Sequence, residues 1–99
     1  MKKDDVLNNK DSEELFKTFL NLKNIDDAKS FLRDLLTEKE IIECSNRWKV
    51  VRMLDKQKSY MAINAATGMS STTIARIHKW MKEGKGGYSL MLKRIKNNE

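Results

Sequence analysis

An all-helical fold is what this sequence predicts, and three observations predict it. The 99 residues contain no proline and only four glycines, three of them at 84–87, so helix breakers are scarce. Strong helix formers such as Leu, Lys, Glu and Met are plentiful, which favours helix over strand. Apolar residues recur at steps of three and four, and no stretch shows a convincing strand alternation. A chain this short is one domain at most and buries a limited core, so help from a second subunit is expected.

The elements follow in order. "MKKDDVLNNKD" is polar and is expected to form a flexible N-terminal arm over residues 1–11. Ser12 with Glu13 and Glu14 marks a helix start, and Leu15, Phe16, Phe19, Leu20 and Leu22 follow at helical spacing. "NIDDAKSFLRDLL" repeats the pattern, with Asp26 or Asp27 near its cap and Phe31, Leu32, Leu35 and Leu36 on one face. "LTEKEIIECSNRWKVVRMLDK" opens with a capping box, Thr37 and Glu40, and carries Ile41, Cys44, Trp48, Val51 and Leu54 or Asp55 at near-helical steps into the longest helix. Cys44, the single cysteine, reads as a small buried hydrophobe.

Ser59 caps a short helix over Tyr60–Ala66, Gly68 breaks it, and Ser70 or Ser71 caps the next helix, which runs to about Lys82. "EGKGG" closes that helix, and "YSLMLKRIKNN" forms a last amphipathic one with Leu90, Met91, Leu92 and Ile95. The whole is read as a single helical domain over 12–97, with a helix-turn-helix at about 59–82.

Charge is distributed unevenly. Residues 1–55 hold 11 basic and 12 acidic side chains, whereas residues 56–99 hold 9 basic and 2 acidic. The excess behind the net charge of +6 therefore belongs to the second half, which points to an anionic partner, nucleic acid or an acidic membrane surface. A basic surface that merely solubilises the chain is the plainer alternative.

Little enzymatic chemistry can be assembled. With one cysteine and one histidine, His78, there is neither an internal disulfide nor a Cys/His zinc site. No glycine loop cradles phosphate, so no catalytic residue, metal or cofactor is assigned. The N-terminus lacks the apolar run of a signal peptide, and no segment approaches the roughly 20 apolar residues that span a bilayer. A cytoplasmic location is expected, with no membrane partner.

The informative stretch is "TGMSSTTIARIHKW", 67–80. A short helix, a glycine corner and a second helix have helix-turn-helix spacing, and Ile63, Met69, Ile74 and Ile77 can close the angle. Ser71, Thr72, Ala75, His78 and Lys79 are left facing outward. Small hydroxyl side chains at a helix start can meet base edges or thymine methyls in a major groove, while amides and Lys79 meet phosphates. The plainer reading makes the Ser/Thr cluster a cap only, and it suits Ser70 best.

"LTEKEIIECSNRWKVVRML" followed by "SYMAINAATGMSSTTIARI" resembles the Trp repressor family, especially its smaller YerC/YecD-type branch. The shared features are "LT" opening the long helix, Arg47 within it, Ser59 starting the short helix, Gly68 in the corner, and Thr73, Ile74 and Arg76. This resemblance implies a six-helix protomer that intertwines with a second copy into a homodimer, and one recognition helix per subunit for successive major grooves of bacterial operator DNA. Carried over by position, it implies base-facing roles for Ser71, Thr72 and Ala75. Backbone-facing roles fall on Ser59, Tyr60, Asn64, Thr73 and His78.

The same resemblance implies an amino-acid pocket at Thr37, Arg47 and Arg76, since one guanidinium can stack on an indole and another can bond a carboxylate. Two departures argue against tryptophan as the effector. Ile77 stands where the repressor pattern has glycine and Trp80 where it has serine, so the protein's own atoms are expected to fill part of the cavity. Arg47 and Arg76 are then expected to pair with carboxylates such as Glu43 or with phosphate, and Trp48 and Trp80 to serve as core or interface aromatics. The reading is a sequence-specific DNA-binding transcriptional regulator, most readily a repressor, that works on double-stranded DNA without tryptophan. The alternative is a dimeric protein-interaction module on the same scaffold without DNA binding.

Overall fold

The structure, a computed structural model, describes residues 5–98. Among them it contains helices and no strand: α1 (Asp5–Asn8), α2 (Lys10–Phe19), α3 (Ile25–Leu35), α4 (Glu38–Asp55), α5 (Tyr60–Thr67), α6 (Ser71–Glu83) and α7 (Gly87–Asn97). The all-helical class expected from composition is observed, with the short α1 added to the six expected helices. The chain divides into two compact units after Glu38.

In the first unit asparagines cap the helices: Asn9 stands before the start expected at Ser12, and Asn24 precedes Asp26 and Asp27, which lie near the cap as expected. Asn9 has extended backbone and its side-chain oxygen accepts from the Ser12 amide at 2.9 Å. Helix α2 thus begins at Lys10, inside the segment expected to be a flexible arm, of which Met1 to Asp4 lie outside the described residues. Asn24 likewise accepts from the Asp27 amide at 2.8 Å, and the Asp27 carboxylate accepts in return from the Lys23 amide at 3.2 Å. The reason is positional: a short side-chain carbonyl one residue before the first turn reaches orphan amides that a residue inside the turn cannot. Asp26 and Asp27 then sit in the first turn, where negative charge favours the positive end of the helix dipole.

Phe19 and Phe31 meet edge to face, ring centres 5.7 Å apart at 84°. Even so, no residue of α1, α2 or α3 is buried. Leu20 is 84% and Ile25 70% exposed, and Phe16, Phe19 and Leu35 are exposed as well. These amphipathic faces are made by the sequence but left uncovered in this chain.

The second unit has a true core. Val50 and Val51 of α4, Ile63 of α5, and Ile74 and Ile77 of α6 are buried, and Trp48, Met53, Leu54, Tyr60, Met69, Met81, Tyr88 and Leu92 pack around them. Each such aliphatic side chain contributes about 1.5–3 kcal/mol by leaving water. Helix α7 is fastened by the Trp48–Tyr88 ring contact at 6.2 Å and by the Lys96 ammonium, 2.7 Å from the Asp55 carboxylate.

Cys44 departs from expectation, being exposed rather than buried. Its spacing does continue the apolar series of α4, but the only buried residues of that helix are Val50 and Val51. The first turns of α4 precede the stretch on which α5 and α6 pack, so Ile42, 60% exposed, and Cys44 are left uncovered.

The end of α4 is closed by backbone alone. The Lys58 amide donates to the Met53 carbonyl at 3.0 Å and the Gln57 amide to the Leu54 carbonyl at 2.9 Å, the two bonds of a Schellman motif. This closure places Gln57 at φ 61°, the sole non-glycine residue with positive φ among those described. A side chain there costs about 1 kcal/mol relative to glycine. Gln57→Gly is therefore expected to raise stability by about that amount in urea unfolding, and a loss of stability would show that the Gln57 side chain contributes contacts that outweigh its backbone strain.

Candidate nucleic-acid interface

The two helices α5 and α6 are joined by a corner whose hydrogen-bonding groups are assigned one by one. Ser59, just before α5, accepts from the Ala62 amide at 3.1 Å. At the far end Gly68 adopts φ 74° and ψ 0°, and its amide donates to the Asn64 carbonyl at 2.8 Å. The Thr67 hydroxyl donates to the Ile63 carbonyl at 2.8 Å and accepts from the Met69 amide at 3.2 Å. The Asn64 side-chain amide donates to the Met69 carbonyl at 2.8 Å, which spans the corner from helix to loop.

Ser70 then caps α6, as the plainer reading of the cluster has it. Its oxygen accepts from the Thr73 amide at 3.2 Å, and its hydroxyl donates to the Thr73 oxygen at 3.1 Å. By contrast, the exposed Ser71 and Thr72 take no part in any of these side-chain bonds.

Below the corner, Ile63 faces Ile74 and Ile77 in the core. On the half-buried side the Tyr60 hydroxyl lies 3.0 Å from His78 Nδ1, with the two rings edge to face at 6.1 Å. This pair ties the start of α5 to the middle of α6. Its 18-residue separation leaves no spacing signal in the sequence. The Asn64 and Thr67 bonds were equally unforeseen, although Asn and Thr beside a glycine corner are residues that commonly bond local backbone.

The residues singled out from sequence fall on this unit as follows. Ser59, Asn64, Ser71, Thr72, Ala75 and Lys79 are exposed, whereas Tyr60, Thr73 and His78 are half-buried. Helical geometry places Thr72 and Lys79 opposite the Ile74, Ile77 and Met81 face, with Ala75 beside them. Lys79 is 3.9 Å from Glu83 across an exposed turn, a pair weak enough to yield to a phosphate.

A family model described as "Trp repressor protein" matches residues 10–96. The chain belongs to the Trp repressor family. It is 35% identical over 95 residues to YerC of Bacillus subtilis strain 168, a protein described as uncharacterized, covering 96% of this chain and 91% of the relative. Among solved structures it matches a TrpR-like protein of Eubacterium eligens, with 35% identity, TM-score 0.85 and coverage of 90% of this chain and 92% of the other. A candidate Trp repressor from Staphylococcus aureus matches with 29% identity, TM-score 0.87 and coverage of 97% and 96%. The YerC-type resemblance read from the long helix and corner thus extends over nearly the whole chain.

The family's effector positions are less uniform in their surroundings. Arg47 is engaged by Glu43 at 2.9 Å, whereas Arg76 is exposed and forms no ion pair among the described residues. Ile77 is 4% exposed, inside the core, while Trp80 is 52% exposed. Thr37 precedes α4 in the other unit. Among the described residues no group of three or more His, Cys, Asp or Glu side chains could hold a metal, and no helix is long and apolar enough to cross a membrane.

Gly68 is the residue whose conformation the corner needs. A methyl group placed on it would meet nothing within 4 Å, so its cost would be conformational rather than steric. Gly68→Ala is expected to lose about 1–2 kcal/mol and to lower Tm by several degrees. Gly87→Ala, at an open position without positive φ, should be neutral or slightly stabilising. Equal Tm values for the two variants would sink this account of the corner.

Proposed function

We propose that this chain is a DNA-binding transcriptional regulator that acts as a homodimer and, in keeping with its family, represses by occupying operator DNA. The observation that carries the reading is the division of labour at the corner. Every other hydroxyl or amide side chain between 64 and 73 is bonded to the protein, whereas Ser71 and Thr72 stand exposed at the start of α6. In a helix-turn-helix that is where side chains meet base edges. The exposed Ser59 and Asn64, and Lys79 farther along α6, suit the flanking phosphates. Tyr60 and His78, bonded to each other, serve the reading by fixing the inter-helix angle.

The uncovered apolar residues of α2 and α3 support the dimer, since Leu20, Ile25 and their neighbours gain a reason to be apolar when a second copy covers them. The paired Arg47 and the core position of Ile77 support operation without tryptophan. One guanidinium of the family's pair is occupied, and a core side chain stands where the tryptophan-binding pattern has glycine.

Two measurements test the reading. A gel shift with DNA selected from a random pool should show a palindromic site whose affinity falls steeply with salt. Ser71→Ala combined with Thr72→Ala should weaken binding to that site by about tenfold or more while sparing non-specific binding. No selective shift would favour a protein-interaction module instead. Isothermal titration with tryptophan should show no binding at micromolar concentrations, and a micromolar site would overturn the tryptophan-independent part alone.

A further inference from the structure

We infer that the groove between α6 and α7 is a binding site for a small phosphomonoester, an organic phosphate with a compact apolar body. The inference goes beyond the DNA reading and uses none of the residues at the start of α6. His78, Met81 and Lys82 of α6 form one wall of the groove. Ser89, Leu92, Lys93 and Lys96 of α7 form the other, joined by Asp55, the last residue of α4. Steps of three and four place each set on a single helix face. The cavity volume is about 390 Å³, within the range of small-molecule sites, roughly 300–1,000 Å³. None of Thr37, Arg47 and Arg76, the family's effector positions, lines it.

Charge selects the class of ligand. Lys96 is matched by Asp55 at 2.7 Å. Lys82 and Lys93 are exposed and form no ion pair among the described residues, so the groove carries two unmatched positive charges. A monocarboxylate matches only one of them, whereas a phosphomonoester near pH 7 carries a charge of about −1.5 to −2 and three acceptor oxygens. Half-buried Met81 and Leu92 add apolar surface between the cations. An organic phosphate covers that surface, and a bare phosphate or a DNA phosphodiester leaves it wet.

Two further donors line the groove. The Ser89 hydroxyl donates to the Met81 carbonyl at 3.5 Å, too long a bond to hold it against a charged acceptor. His78 engages the Tyr60 hydroxyl through Nδ1, which leaves Nε2 for a ligand. A phosphate that accepts from Nε2–H leaves Nδ1 of the neutral ring to accept from Tyr60. Occupancy of the groove and the tie from α6 to the start of α5 therefore reinforce each other.

The experiment titrates the full chain with phenyl phosphate, inorganic phosphate, benzoate and phenol in a calorimeter at constant ionic strength. Phenyl phosphate should saturate one site per chain and bind about tenfold more tightly than the other three, which lack either the second charge or the apolar body. Lys82→Ala and Lys93→Ala, both at exposed positions, should each weaken it by about tenfold and leave Tm unchanged. In nitrogen-15 NMR spectra the perturbed amides should belong to residues 78–82 and 89–93 rather than to Ser71 and Thr72. The inference is overturned if phenyl phosphate fails to saturate or binds no more tightly than benzoate, if neither lysine variant weakens it, or if the perturbed amides are those of Ser71 and Thr72. DNA is the other source of phosphate, and a separate arm distinguishes it. Lys93→Ala should leave the salt dependence of duplex binding unchanged, and a slope lower by about one would assign Lys93 to a backbone phosphate and overturn the small-ligand site. The calorimetric outcomes involve no DNA, so this inference and the DNA reading fail separately.

Discussion

Everything in the second unit depends on the angle between α5 and α6 being held by a very small apolar core. Five buried side chains, Val50, Val51, Ile63, Ile74 and Ile77, have to fix three helices. All five are β-branched isoleucine or valine of restricted rotamer, which limits how the contact can slide. An apolar contact alone is non-directional, however, and leaves helices free to rock about it. The left-handed Gly68 and the polar bonds around it supply the missing direction. They make the corner a defined hinge angle rather than a flexible link.

The polar groups follow from that constraint. A corner without its own hydrogen bonds would leave the last carbonyls of α5 and the first amides of α6 unsatisfied. Thr67, Asn64 and Ser70 remove that deficit by bonding local backbone, and Tyr60 with His78 closes the opposite side. Such commitments subtract from the side chains that can serve a ligand. Asn64 and Thr73, both expected from the family's pattern to face the DNA backbone, have polar atoms occupied by the protein.

The fold class, the helix order and the glycine corner were legible because they depend on local spacing and propensity. The pairing of Arg47 with Glu43 was legible for the same reason, being one helical turn. Cap identities were harder: Ser12 and Asp27 sit three residues past the true caps, Asn9 and Asn24, and a capped turn contains several residues that can each act as a cap in isolation. Cys44 misled because periodicity reports which face of α4 a residue occupies and not how far along the helix its partners reach. The Tyr60–His78 bond was invisible, since it exists only after the core has set the two helices at their angle. Ser71 and Thr72 carried the opposite ambiguity, as a Ser/Thr run reads equally as cap or contact until the bonds made by Ser70 separate the two.

The contrast between the units bears on why so short a chain adopts this design. The second unit buries aliphatic side chains and satisfies its polar corner, so the angle between α5 and α6 is set within that unit. The helices α2 and α3 carry strong amphipathic patterns yet bury nothing of their own. If a second copy covers them, stability of those helices becomes linked to protomer concentration. The recognition helix would then keep its internal geometry in a monomer, while its presentation to two successive grooves would require assembly. Changes at Thr72 or Ala75 can leave undisturbed the apolar contacts on which the angle rests, because those exposed side chains point away from Ile74 and Ile77.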